Sequence, residues 1–204
     1  MIGDFGYVVA VEGISALDQL EEIEGRIATA ARRAVNATLR KTRTEAKREI
    51  MRQINFRARY LDDKTQNRLR VELARGNALE GRITARTRAT SLATFAKGTP
   101  GNPRFTLEVK KGQRITYKPK DGKNPRLFLM QFKNGTQGLA IRLRPGETIE
   151  GKKATVARGS TKGLTFLFGP SVNQVFRTVA DDLIPGAEDY LESEFLRLMD
   201  LRNG

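Results

Sequence analysis

The chain contains no cysteine and no histidine. It therefore forms no disulfide, presents no thiolate nucleophile, builds no Cys/His zinc site and has no imidazole general base, so Ser-His-Asp and Cys-His constellations are excluded together. Tryptophan is missing as well, and aromatic residues make up only 7% of the chain. They are not interleaved with its basic residues as a base-stacking platform requires. Apolar runs are short, and none approaches the roughly 18 residues of a membrane span. The opening MIGDFGYVVAVEG has an acid and no basic n-region, so it does not read as a signal peptide, and the expectation is a chain made in the cytosol. Among enzyme chemistries, a carboxylate-only site of the kind found in glycosidases or magnesium-dependent nucleases remains.

What is present is positive charge. Thirty-seven Lys and Arg face 23 Asp and Glu, for a formal net charge of +14. That excess implies an acidic partner: nucleic acid, an anionic membrane surface or an acidic protein surface. With 204 residues the chain can support one domain with a real core, and residues 1–204 are read as a single α+β domain. Residues 26–59 hold eleven basic residues against two acids, Glu45 and Glu49. This run is either a solvated helix face or a surface turned to phosphate or an acidic subunit. Its candidate contact residues are Arg32, Arg33, Arg40, Lys41, Arg43, Lys47 and Arg48.

The basic run belongs to a long helix expected over about 15–54, with Ser15 as N-cap and Leu17, Leu20, Ile23, Ile27, Ala30, Ala31, Ala34 and Ala37 at helical spacing. Gly25 is a weak point within it. A short strand over 5–12 precedes it. A shorter helix over 59–69, a strand over 79–89 and a Gly/Pro loop over 97–104 follow. Phe105, Leu107 and Val109 alternate, Lys111-Gly112 turns the chain, and Ile115 and Tyr117 alternate back. This is a hairpin expected to lie beside a second, central one in a sheet of at least four strands.

The central hairpin is the segment RLFLMQFKNGTQGLAIRLR, 126–144. Asn134-Gly135 suits a two-residue type I′ turn. That turn pairs Phe128 with Ile141, Leu129 with Ala140 and Met130 with Leu139, and sends Phe128, Met130, Leu139, Ile141 and Leu143 to the core. Residues 118–125 and 145–163 read as polar connectors, the second a mobile loop. Leu164 to Phe168 reads as a strand, and Ser171 as the N-cap of a last helix broken at Pro185-Gly186. The acids Asp181, Asp182, Glu188, Asp189, Glu192, Glu194 and Asp200 make this tail the acidic end of a basic protein. Spread over two helical segments, they do not suggest converging metal ligands; helix-start charge and solvated faces account for them.

The order of these features resembles the minor tail protein Z and tail-completion family of long-tailed, lambda-like bacteriophages. The likeness is carried by ATAARRAVNATLRKTRTEAKREI (28–50), PRLFLMQFKNGTQGLAIR (125–142), FLFGPSVNQVFRTVADDL (166–183) and YLESEFLRLM (190–199), about half the chain. The connector over 145–163 is longer than the pattern leads one to expect, and Pro185-Gly186 interrupts the last helix. The resemblance implies a non-enzymatic virion protein of the tail or neck at the head-tail joint. It would be made in the host cytoplasm and assemble with itself into a ring and with other tail proteins, and would need no cofactor or metal. Phe176, Leu191, Phe195 and Leu196 are then the expected subunit interface, and the basic helix the surface toward an acidic neighbour or, non-specifically, phage DNA. The competing reading is a sequence-independent nucleic-acid binding protein, for which no named fold signature is visible. A carboxylate-dependent hydrolase is a third.

Overall fold

A computed structural model describes residues 9–10, 25–63, 66, 68–76, 78–118, 126–143 and 164–200. Two long helices and several small antiparallel sheets make the fold α+β. Within it, the chain divides into two compact units. Unit 1 comprises Met1–Arg52, Arg57–Thr87 and Val172–Gly204; unit 2 comprises Gln53–Phe56 and Arg88–Ser171.

In unit 1, β1 (Val9–Ala10) pairs with β3 (Arg82–Ala85), and β3 pairs with β2 (Leu69–Glu72), all antiparallel. The rest of the expected strand over 5–12 lies outside the described residues. Helix α1 (Gly25–Gln53) buries Ala30, Ala31, Ala34, Val35, Leu39, Ala46 and Ile50. The alanines are small enough for neighbouring backbone to approach closely, and Asn36 uses that proximity. Its Nδ2 donates to the Ala74 carbonyl at 3.2 Å, and its Oδ1 accepts from the Ala74 amide at 2.8 Å. These two bonds satisfy a backbone pair that no strand serves. The part of the expected helix before Gly25 lies outside the described residues.

The helix expected over 59–69 is a single turn, α2 (Ala58–Leu61), after which the chain extends into β2. One turn gives too few hydrogen bonds to propagate. Side-chain contacts pin the corner instead. Arg68 lies 3.5 Å from the Tyr60 ring centroid and donates to the Tyr60 carbonyl at 3.0 Å, while Asp62 accepts from Arg43 and Lys47.

Helix α3 (Val172–Asp200) runs without interruption through Pro185 and Gly186, so the expected break is not there. Proline removes one i→i−4 bond at a cost of about 3 kcal/mol. The adjoining turns bury Val172, Val175, Phe176, Val179, Ala180 and Ala187, and burial of several such side chains at roughly 1.5–3 kcal/mol each outweighs that loss. The Asn173 amide, a first-turn donor with no carbonyl of its own helix in reach, donates to the Arg86 carbonyl at 3.0 Å.

Among the described residues, unit 2 holds three small sheets, where one larger sheet was expected. β4 (Thr90–Ser91) pairs with β11 (Phe168–Gly169). β5 (Ala96–Lys97), β6 (Phe105–Leu107) and β7 (Ile115–Tyr117) form a second sheet in that order. β8 (Leu127–Gln131), β9 (Gln137–Arg142) and β10 (Leu164–Phe166) form a third, with β9 central. Between β4 and β5, residues Leu92–Phe95 make a 3-10 turn capped by Ser91 Oγ, which accepts from the Ala93 amide. Connector residues 119–125 and 144–163, with Leu143 the last residue before the second, lie outside the description.

The β8–β9 hairpin differs from expectation by one residue. Phe128 pairs with Ala140, Leu129 with Leu139 and Met130 with Gly138. The Gly135 amide donates to the Phe132 carbonyl at 2.9 Å and the Phe132 amide to the Thr136 carbonyl at 2.8 Å. Gly135 sits at φ +77°. This is a three-residue loop, a turn followed by one left-handed residue, instead of a two-residue type I′ turn. Asn134 serves it through its side chain, with Oδ1 accepting from the Thr136 amide at 3.1 Å and the Thr136 hydroxyl at 2.7 Å. The extra loop residue inverts the first strand. Leu129 and Leu139 are the buried pair, each 1% exposed, while Phe128 and Met130 are half-buried on the other face. Leu129 and Leu139 pack with Ala93, Ala96 and Phe105, and Leu92, Leu107, Tyr117, Leu127 and Leu167 close the cluster.

Candidate interaction surface

The seven basic candidates on α1 separate by what they touch. Four serve the fold of unit 1. Arg32 donates to the Gly76 carbonyl at 2.7 Å, Arg43 to the Leu69 carbonyl at 3.2 Å and to Asp62 at 2.9 Å, and Lys47 to Asp62 at 2.5 Å. Lys41 Nζ sits 3.8 Å from the centroid of Tyr190 on α3. For Asp62, partial burial pushes the carboxyl pKa up. Hydrogen bonds from Lys47 and Arg43, together with their charges, outweigh it and leave the group below the usual carboxylate range. The remaining three, Arg33, Arg40 and Arg48, are exposed and make no ion pair or side-chain hydrogen bond among the described residues. With Thr44 they follow one another at intervals of seven, four and four residues, which aligns them on one helical stripe about 22 Å long.

The apolar candidates on α3 separate in the same way. Phe176 is 0% exposed and belongs to the core of unit 1, so it presents nothing to a partner; this corrects its place among the interface residues. Sequence periodicity marks an apolar helix face but does not say whether chain or solvent covers it. Leu191 and Phe195 are half-buried, and Leu196 is 53% exposed. Leu196 lies on a stripe with Asp182, Asp189, Glu192 and Asp200, spaced at seven, three, four and four residues and all exposed. None of these four acids pairs with a described cation. Elsewhere on the helix, Glu194 is held below the usual carboxylate range by its hydrogen bond from Arg197.

The two long helices of one chain adjoin through Lys41 and Tyr190. Each therefore has a face committed to its own molecule and a charged stripe turned outward, basic on α1 and acidic on α3. Among the described residues no three Asp or Glu side chains converge to hold a metal ion. None of the described helices is long and apolar enough to cross a membrane.

No protein-family model, curated protein or solved structure matches the chain.

The sequence reading passed over how charge is divided between the units. Residues 88–171, the bulk of unit 2, contain 17 Lys and Arg against 4 Asp and Glu, a formal +13. The remaining residues contain 20 against 19, a formal +1. The cations of the basic helix lie close together in sequence, yet acids elsewhere in unit 1 balance them. The signal was available in the sequence as a running charge sum, but only the unit boundaries show where to divide it.

Proposed function

We propose that the chain is a non-enzymatic structural subunit of a long-tailed bacteriophage tail or neck, assembling with copies of itself into a ring at the head-tail joint. The observation that carries this reading is the pair of outward stripes in unit 1. Arg33, Arg40 and Arg48 run along α1, and Asp182, Asp189, Glu192 and Asp200 run along α3 around the exposed Leu196. Two complementary but different surfaces on one molecule favour head-to-tail contact, which closes into a ring when the rotation permits. Exposed ion pairs are individually weak, about 0–1 kcal/mol. In this arrangement the exposed Leu196 supplies apolar contact, while the charges set register and encounter rate. The resemblance in feature order to tail-completion proteins supplies the biological setting, and the lack of histidine and cysteine is in keeping with a role in assembly.

The test is charge reversal confined to the outward stripe. Arg33→Glu, Arg40→Glu and Arg48→Glu in one chain should leave its thermal midpoint unchanged and abolish oligomers seen by light scattering, together with infectious particles in complementation. Reversing Asp182, Asp189 and Glu192 to Lys in the same chain should restore both. Infectious particles formed by the arginine variant alone would refute the reading. Lys41, Arg43 and Lys47 are unsuitable for this test because they hold unit 1 together.

A further inference from the structure

We infer that the β5–β6–β7 sheet of unit 2 is a docking surface for the sugar-phosphate backbone of duplex nucleic acid. The strand register places Phe105 opposite Tyr117 and Leu107 opposite Ile115 on one face, and Lys97, Thr106 and Thr116 on the other. Phe105 is 3% exposed and its ring lies 5.2 Å from that of Tyr117, so this face packs into the core of unit 2 at that end, while Ile115 at the turn end is exposed. The outer face is polar, with the hydroxyls of Thr106 and Thr116 3.5 Å apart. Arg104 and Lys118 continue the parity of Thr106 and Thr116 just past the strand ends, and Lys110, Lys111 and Arg114 surround the turn at the far end, where Gly112 has φ +80°. All six cations are exposed. The sole acid between residues 96 and 118 is Glu108. It hydrogen-bonds the Gly112 amide at 3.1 Å and lies 3.9 Å from Arg114, so five of the six cations have no acidic partner among the described residues.

The composition of the outer face selects the partner. A protein interface of useful stability has a desolvated core of aromatic or aliphatic side chains. Here the central positions are threonines, and Ile115, the sheet's one exposed large apolar side chain, shares the other face with Leu107. A single strand would need aromatic rings to stack its bases, and those of Phe105 and Tyr117 are turned inward. What remains is attraction by charge alone, supplemented by hydroxyl donors, as phosphate contacts require. Arg104 to Lys110 spans at most about 20 Å, the length of about six phosphates on one strand of a duplex at 3.4 Å each. Because such contacts carry no base information, binding is independent of sequence.

The inference does not rest on the virion reading, since duplex binding is measured on the free chain and assembly in particles. The experiment is fluorescence anisotropy of a labelled mixed-sequence duplex titrated with purified full-length protein at several salt concentrations. If most of the six cations meet phosphates, affinity falls about a thousandfold between 50 and 200 mM salt. A variant with Lys97, Arg104, Lys110, Lys111, Arg114 and Lys118 changed to Gln should lose at least about tenfold in affinity at low salt. Its salt slope should be shallower by about one for each phosphate contact removed. Arg33→Gln, Arg40→Gln and Arg48→Gln together, on α1, should change affinity less than about twofold. Unaltered thermal midpoints verify folding. The inference is overturned if the wild-type chain shows no salt-dependent duplex binding, or if the α1 variant loses binding while the sheet variant keeps it. It is equally overturned if polyglutamate, at equal charge, displaces the duplex, or if a single strand binds more tightly than the duplex.

Discussion

Truncating Leu129 and Met130 separately to alanine discriminates between the two hairpin registers. Leu129 is 1% exposed and stands opposite Leu139 in the cluster with Ala93, Ala96 and Phe105. Leu129→Ala deletes three buried carbons, worth about 2.4 kcal/mol in transfer at about 0.8 kcal/mol each. With Phe105 and the cross-strand leucine held by their own strands, the site cannot collapse fully. The residual cavity brings the total to about 3 kcal/mol, inside the range of about 2–5 kcal/mol for such truncations. Met130 is half-buried on the opposite face, opposite Gly138, and has less contact to lose, so Met130→Ala should cost about 1 kcal/mol. Urea unfolding followed by far-UV circular dichroism reads both. At a slope of about 2 kcal/mol per molar, the midpoint falls by about 1.5 M for Leu129→Ala and by about 0.5 M for Met130→Ala. A larger fall for Met130→Ala would mean that Asn134-Gly135 forms a two-residue turn after all, with Met130 facing Leu139. Equal falls would mean that both faces of the strand are covered alike.

Two further perturbations probe unit 1. A Cβ at Gly81 would lie 2.8 Å from the Glu72 carbonyl oxygen and 3.2 Å from the Ala74 amide nitrogen, and would clash with Leu39 Cδ1. Backbone on one side cannot yield as a side chain can, so Gly81→Ala should destabilise by about 1–3 kcal/mol in the same urea assay, and an unchanged midpoint would contradict this packing. Asp62, held below its usual pKa of 3.8 by Lys47 and Arg43 against the opposing effect of burial, contributes stability that is complete above about pH 4 and is lost as pH falls through the lower folded value. Its side chain is 42% exposed, so solvent screening limits the effect to under about 1 kcal/mol. The gap in urea midpoint between wild type and Asp62→Asn should accordingly be constant at neutral pH and narrow as the pH is taken below the ordinary 3.8 into strong acid, and a gap that did not narrow would refute the assignment.

The α+β class and the long helices at either end are determined by local pattern. The alanines of α1 and the apolar periodicity from Val175 to Leu183 repeat at helical spacing whatever surrounds them, and turn residues such as Gly112 mark their own position. The sheet arrangement is not local. Asn134-Gly135 announces a reversal, yet whether two or three residues form the loop depended on which face of the strand meets Ala93, Ala96 and Phe105. One residue in the loop decides between Leu129 and Met130 as the core side chain. Pro185 likewise carries a local signal for a break, which tertiary packing of Val179, Ala180 and Ala187 overrides. The candidate surfaces divide along the same line. Sequence alone identified the basic run, the acidic tail and the exclusion of cysteine and histidine chemistry. Only the tertiary structure showed that Lys41, Arg43 and Lys47 are committed within the chain while Arg33, Arg40 and Arg48 face outward, and that Phe176 is core while Leu196 is exposed. The physical reason is that charge and hydrophobicity belong to a residue, whereas availability to a partner depends on what distant segments have already covered.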